Sequence, residues 1–258
     1  MELKAIGNTD VGCVRKNNED AFLVREDIPL FVVADGVGGA AAGEVASSLF
    51  ISSCEYEFDN LSDKHLDGNL IITRCFQNGN RKILNHVEQF PETKGMACTA
   101  EVLTFSENQY IIGHVGDSRT YLVREGQIEQ ITKDHSYVQE QLDLGLLAPQ
   151  DAKTHWLKNA IYRAVGIEEN LQVDRYHGQV RNGDIFLLCS DGLSDLVPPE
   201  ELLSIVDSQP LLEDCVQQLI NQAKSYGGKD NITAILCKVT KTSLLHTIST
   251  ILKPKFGN

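Results

Sequence analysis

The order of apolar segments predicts an α+β fold, a central β-sandwich of two mainly antiparallel sheets flanked by helix pairs on both sides, four layers in all. Three observations carry this. Short apolar strands follow one another through turn residues, as hairpins do and βαβ crossovers do not. Two long helical stretches separate the first strands from the next group, and two more helices precede a last strand. Two strands also end alike: Phe31-Val-Val-Ala-Asp35-Gly36 and Ile185-Phe-Leu-Leu-Cys-Ser-Asp191-Gly192 each run an apolar segment into Asp-Gly. Laid side by side, they bring Asp35 and Asp191 to one edge of a sheet.

Leu3 to Ile6 reads as a strand and Thr9-Asp-Val-Gly12 as a turn. Ala21 to Val24 and Leu30 to Ala34 form a hairpin through Glu26-Asp-Ile-Pro29. A helix starts after Gly39, with Val45, Leu49, Ser52 or Ser53, and Tyr56 at helical spacing. A second helix starts at a Ser62 N-cap, with a stripe of Leu66, Ile72, Cys75, Phe76, Ile83, Leu84 and Val87. Strands return at Ala97 to Phe105, Gln109 to Val115, Thr120 to Val123 and Gln127 to Ile131, the last two joined by Arg124-Glu-Gly126. Residues 134–168 form a short helical excursion between sheet segments; insertions of this length serve as functional lids or are disordered loops. Leu171 to Tyr176 and Asp184 to Cys189 are strands, Pro198 to Val206 and Leu212 to Ala223 helices, and Ile232 to Val239 the final strand. Residues 1–240 thus form one domain. The tail, 241–258, is an amphipathic helix with Leu244, Leu245, Ile248, Ile251 and Leu252 on one face. It docks on the domain or on a partner, and its few cations do not favour a membrane surface.

The 258 residues are 42% hydrophobic and 23% charged, ordinary for a soluble chain. A formal charge of −13 argues against nucleic acid as a partner. It also repels a phosphorylated substrate unless a bound metal supplies a positive centre. No apolar run approaches the ~18 residues of a membrane helix, and the start lacks a signal-peptide core. The seven cysteines lack Cys-x-x-Cys spacing. They read as reduced, mostly buried thiols of a cytoplasmic protein.

Asp20, Asp35, Asp117, Asp191 and Asp230 each stand beside an apolar strand. Any one of them could cap a helix or close a turn. Two Asp-Gly pairs ending buried strands, with three more carboxylates placed alike, instead suit Mg²⁺ or Mn²⁺ held by hard oxygens. Gly36 lets the main chain approach an ion. Arg15 offers a guanidinium fork to phosphoryl oxygens, or else forms a salt bridge with one of these acids.

Thr9-Asp-Val-Gly-Cys-Val-Arg-Lys-Asn-Asn-Glu-Asp20, Val33-Ala-Asp-Gly-Val-Gly-Gly39, Gly113-His-Val-Gly-Asp-Ser-Arg119, Leu188-Cys-Ser-Asp-Gly-Leu193 and Gly228-Lys-Asp-Asn-Ile-Thr233 occur in that order. Together they resemble the motifs of the metal-dependent (PPM, or type 2C) serine/threonine protein phosphatases in their short bacterial form. The resemblance implies a binuclear Mn²⁺/Mg²⁺ centre in a cleft at one end of the sandwich. Asp35 bridges the ions, Asp191 and Asp230 complete the first site, and the Gly36 carbonyl binds the second ion, with Glu19 and Asp20 contacting it directly or through water. Asp117 with Asp191 matches a weaker third site, and Arg15 the phosphate-binding arginine. The stretch 136–168 corresponds to a flap carrying His155. Two positions depart from the pattern: Val37 stands where many eukaryotic members have a histidine, and Cys98 where Ser or Thr is usual.

The reaction so implied is hydrolysis of phosphoserine and phosphothreonine by a hydroxide bridging two cations roughly 3.5–4 Å apart, with Arg15 offsetting phosphoryl charge. The implied partners are phosphorylated proteins, a serine/threonine kinase or its substrates, met by a monomer. Two rivals remain. A phosphatase-like domain could bind phosphoproteins without turnover. A dinucleotide enzyme could use Gly36-Val-Gly38-Gly-Ala-Ala41, although Asp35 would repel pyrophosphate and no acid-ended second strand follows.

Overall fold

The computed structural model describes residues 1–37, 42–60, 67–152 and 154–242. Strands β1 (Glu2–Asp10), β2 (Asp20–Arg25) and β3 (Leu30–Val37) lead into helices α1 (Gly43–Asp59) and α2 (Gly68–Gln89). Strands β4 (Ala97–Cys98), β5 (Ala100–Ser106), β6 (Gln109–Val115), β7 (Arg119–Arg124) and β8 (Gln127–Gln130) follow. The excursion holds α3 (Tyr137–Asp143) and α4 (Pro149–Ala152). Then come β9 (Asp174–Gln179), β10 (Ile185–Cys189), α5 (Asp191–Ser194), α6 (Pro199–Ser208), α7 (Leu212–Ser225) and β11 (Ile232–Lys241).

One sheet runs β1-β11-β10-β7-β8 and the other β2-β3-β5-β6-β9, with β4 paired to the far end of β3. All the pairings within them are antiparallel. Three apolar layers hold the stack together. Helices α1 and α2 cover the second sheet through Phe50, Cys54, Ile72 and Phe76. Helices α6 and α7 cover the first through Leu202, Val216, Leu219 and Ile220. Phe31, Val33, Leu103, Phe186, Leu188 and Ile235 fill the space between the sheets. Strand alternation sorts these layers: on β3, Leu30, Val32 and Ala34 face the helices, whereas Phe31 and Val33 face the opposite sheet. Continued, the alternation puts Asp35 and Val37 on the inter-sheet side, at the mouth of the sandwich.

The expected sandwich is therefore present, with one correction that matters for the site. Asp35 and Asp191 do not share a sheet. The hairpins keep β3 between β2 and β5, so β10 meets it only across the sandwich. The dinucleotide alternative fails on the same topology, because β3 has antiparallel neighbours and α1 leads to a second helix.

Local differences have local causes. α1 buries Ala46, Ser47, Phe50, Ser53, Cys54 and Phe58, while Tyr56 is 64% exposed; its apolar residues lie nearly all round, so spacing could not set the phase. α2 is capped by Asp67, whose carboxylate accepts from Asn69 N at 2.9 Å; Ser62 and Leu66 lie outside the described residues. The strand expected over 97–105 breaks at Thr99, whose hydroxyl accepts from Asp35 N at 3.1 Å. β9 starts at Asp174 rather than Leu171, because Leu171 and Val173 pack on the helix-side core without pairing. Cys13 is exposed and the other six cysteines are buried; all are free thiols. No described helix is long and apolar enough to cross a membrane, and the tail helix expected beyond Thr242 lies outside the described residues.

Phe76 is 1% exposed and its ring lies 5.2 Å from that of Phe50. Phe76→Ala should lower unfolding stability by about 3–5 kcal/mol, read as a fall in the urea midpoint at unchanged slope.

Candidate metal centre

Asp20 and Asp35 face each other directly in the β2–β3 register. Like charges in that position are unfavourable. Asp20 Oδ2 accepts from Ser190 Oγ at 2.7 Å and Thr233 Oγ1 at 2.6 Å, both from the opposite sheet. Its Oδ1 is buried and has no hydrogen-bond partner. Asp191 follows β10 and Asp230 precedes β11, and the pairing Cys189↔Ala234 brings these ends together. Asp191 Oδ1 is likewise buried and without a hydrogen bond. On the other side of β10, Cys189 pairs with Arg119, and Asp117, in the loop just before β7, is first among the charges in its effect on Asp191.

The electrostatics follow from this crowding. Burial, then the neighbouring Asp20, Asp191, Asp117 and Asp230, raises the Asp35 carboxyl well above its ordinary range. Burial and then Asp117, Asp195 and Asp230 do the same for Asp191. Asp20 is pushed up to about 6, by burial first and Asp230 next among the charges. Asp117 is pushed up to about 7 by burial and Asp134. Burial raises Glu19 against the opposing pull of Arg15.

A buried carboxylate oxygen without a donor is costly unless something positive meets it. Two such oxygens among all-oxygen donors fit a hard divalent cation. The main chain is equally close: a Cβ on Gly36 would lie 2.3 Å from Gly43 O and 2.7 Å from Glu19 O, and one on Gly43 3.0 Å from Glu19 Oε2. Only glycine fits at Gly36, with the Glu19 carboxylate beside it. Among the described residues no three His, Cys, Asp or Glu side chains stand close enough to hold an ion by themselves. A hard-ion shell completed by carbonyl and water oxygens needs no such cage.

Arg15 forms the salt bridge rather than standing free: its Nη2 donates to Asp230 Oδ2 at 2.7 Å, with 47% of its side chain exposed. His155 lies in the excursion between β8 and β9, its ring 5.8 Å from that of Tyr137 and its Nδ1 accepting from Leu157 N at 3.1 Å. Sequence reasoning missed Asp195 and Asp134. Asp195 lies one helical turn after Asp191, its N–H on the Asp191 carbonyl at 2.8 Å, a spacing that could have been noticed. Asp134 is gripped by Arg119 through Nε and Nη2 at 2.9 and 2.6 Å and carries no local signal. The fully buried Glu101–His114 pair was also missed; one acid in an otherwise apolar strand was its trace.

Each raised carboxyl binds its proton more tightly folded than unfolded, so without ions this cluster loses stability as pH rises from ~4 to ~7. His135, pushed down to about 4 by burial and then by His114, acts oppositely, so a variant isolates the effect. In EDTA, Asp191→Asn should raise the thermal midpoint by about 2–4 °C near pH 7.5, the shift of roughly 1 kcal/mol in a chain this size, and by less near pH 5.5. A variant less stable at neutral pH would show that these carboxylates do not repel.

Residues 14–237 match the family Protein phosphatase 2C. The serine/threonine phosphatase stp of Listeria monocytogenes is 35% identical over 240 residues, 88% of this chain and 92% of that one. The crystal structure of the serine/threonine phosphatase PstP/Ppp of Mycobacterium tuberculosis superposes with a TM-score of 0.85 at 36% identity, covering 93% of this chain and 100% of that chain. The catalytic domain of PstP in complex with two manganese ions gives 0.84 at 36% identity, over 93% and 99%. With most of its length matched by sequence and by fold, this chain belongs to the protein phosphatase 2C family.

Proposed function

We infer that the chain is a metal-dependent serine/threonine protein phosphatase that hydrolyses phosphoserine and phosphothreonine in proteins. The observation that carries this reading is the pair of buried, donorless oxygens on Asp20 and Asp191 at the mouth of the sandwich. Family membership gives them a role. Mn²⁺ or Mg²⁺ suits the all-oxygen donors. Asp35 would bridge two ions, Asp191 and Asp230 would complete the first site, and the Gly36 carbonyl with Glu19 and Asp20 the second. Asp117 with Asp191 would hold a weaker third. Bound there, the ions supply Lewis acidity and activate water for attack on phosphorus.

The chain's own residues do the rest. Ser190 and Thr233 fix Asp20 by two hydroxyl hydrogen bonds to Oδ2, which leaves the buried Oδ1 without a donor and available to an ion. Thr99 holds the Asp35 main chain: its hydroxyl accepts from Asp35 N, and its own N–H donates to Asp35 O at 2.8 Å. Arg15 is half-exposed at the rim and can trade its contact with Asp230 for phosphoryl oxygens, offsetting their charge. Val37 has no proton to give to the leaving oxygen, and His155 stands in the excursion with its ring 5.8 Å from that of Tyr137. Residues 1–240 act as the catalytic unit, with 136–168 as its flap.

Hydrolysis of p-nitrophenyl phosphate should cease in EDTA and return with Mn²⁺; full activity after exhaustive chelation would reject metal dependence. Asp191→Asn should lower kcat by about a hundredfold or more. Arg15→Ala should raise KM about tenfold with a smaller effect on kcat, and an unchanged KM would remove its phosphate role.

A further inference from the structure

Val37 lies two residues beyond Asp35 on β3, so both side chains leave the same face, about 7 Å apart along the strand. A cavity of about 430 Å³ opens there. Val37 and Ala97, partners in the β3–β4 register, form one wall. Ile161, Tyr162 and Ile167, in the last part of the excursion, and Leu171, just before β9, form the other. Tyr162 and Ile167 are 55% and 54% exposed, apolar surface of a cavity that starts two residues along β3 from Asp35. Arg163 also lines the cavity, but its guanidinium is committed: Nη1 donates to Asp174 Oδ1 at 2.7 Å and lies 3.0 Å from His135 Nε2. Glu168, exposed beside it, disfavours an acidic occupant.

We propose that this cavity seats an apolar side chain of the phosphoprotein substrate, two residues from the phosphorylated serine or threonine; the proposal rests on the phosphatase reading above. An extended peptide returns a side chain to the same face every second residue, a step of roughly 7 Å. That step equals the one from Asp35 to Val37. A substrate extended along β3 with its phosphoryl group at Asp35 therefore brings its second neighbour down over Val37. The volume is that of a small-ligand site and accepts leucine, isoleucine or phenylalanine. Arg15, paired with Asp230, reads the phosphate; the cavity reads the sequence around it.

The test uses the full chain with Mn²⁺ and three substrates. These are p-nitrophenyl phosphate and two phosphothreonine peptides of equal charge, with leucine or asparagine at both positions two residues from the phosphothreonine. The leucine peptide should have a kcat/KM about tenfold higher. Ile167→Asp, at an exposed position, should erase most of that preference and leave p-nitrophenyl phosphate hydrolysis unchanged. Equal kcat/KM for the two peptides, or a preference untouched by Ile167→Asp, would overturn the proposal and leave the phosphatase reading standing. No turnover of any of the three would overturn both.

Discussion

The fold is built against the repulsion between Asp20 and Asp35. Two carboxylates directly opposite on neighbouring strands, with one oxygen buried and donorless, cost stability that a hairpin alone cannot recover. Their position is held from outside the pair. Ser190 and Thr233 reach across from the other sheet to Asp20, and Thr99 clamps the main chain of Asp35. The three apolar layers supply the stability against which this penalty is set. In the ion-free chain the penalty takes the form of raised proton affinity, and the same field is what draws a divalent cation.

The sandwich also ties the excursion between β8 and β9 to the centre. Buried Glu101 bonds His114 and accepts from Thr120 Oγ1 at 2.8 Å. His114 Nε2 meets the Lys133 carbonyl at 2.8 Å, and Gly116 N donates to His135 Nδ1 at 3.1 Å. His135 in turn touches Arg163, which is paired with Asp174 at the start of β9. A continuous polar chain thus runs from the inter-sheet core to the base of the excursion. Thr99, through Ser118 Oγ at 2.7 Å, joins Asp35 to the loop carrying Asp117. The centre and the segment lining the neighbouring cavity are fixed to the same framework.

Much of this was legible in the residues. Hairpin spacing and buried apolar runs specified the two sheets, because strand pattern and turn chemistry are local. The two Asp-Gly strand ends singled out the centre for the same reason, a charge at the end of an apolar run being locally anomalous. Long-range choices were not legible. Nothing near Phe31–Asp35 says that its partner at Asp191 comes from the opposing sheet, and nothing at Asp134 tells of Arg119. The phase of α1 was lost because its apolar residues are not confined to one side. The hydroxyls of Ser190 and Thr233 acquire their role only when β10 and β11 stand over β2.

The most direct measurement is anomalous diffraction at the manganese edge from crystals grown with Mn²⁺, for the wild type and Asp35→Asn. The account predicts two strong peaks in the wild type that share Asp35, with Asp191 and Asp230 at one and the Gly36 carbonyl at the other, and loss of at least one peak in the variant. Active protein whose manganese peaks lie away from Asp35, or stay in place in the variant, would contradict it.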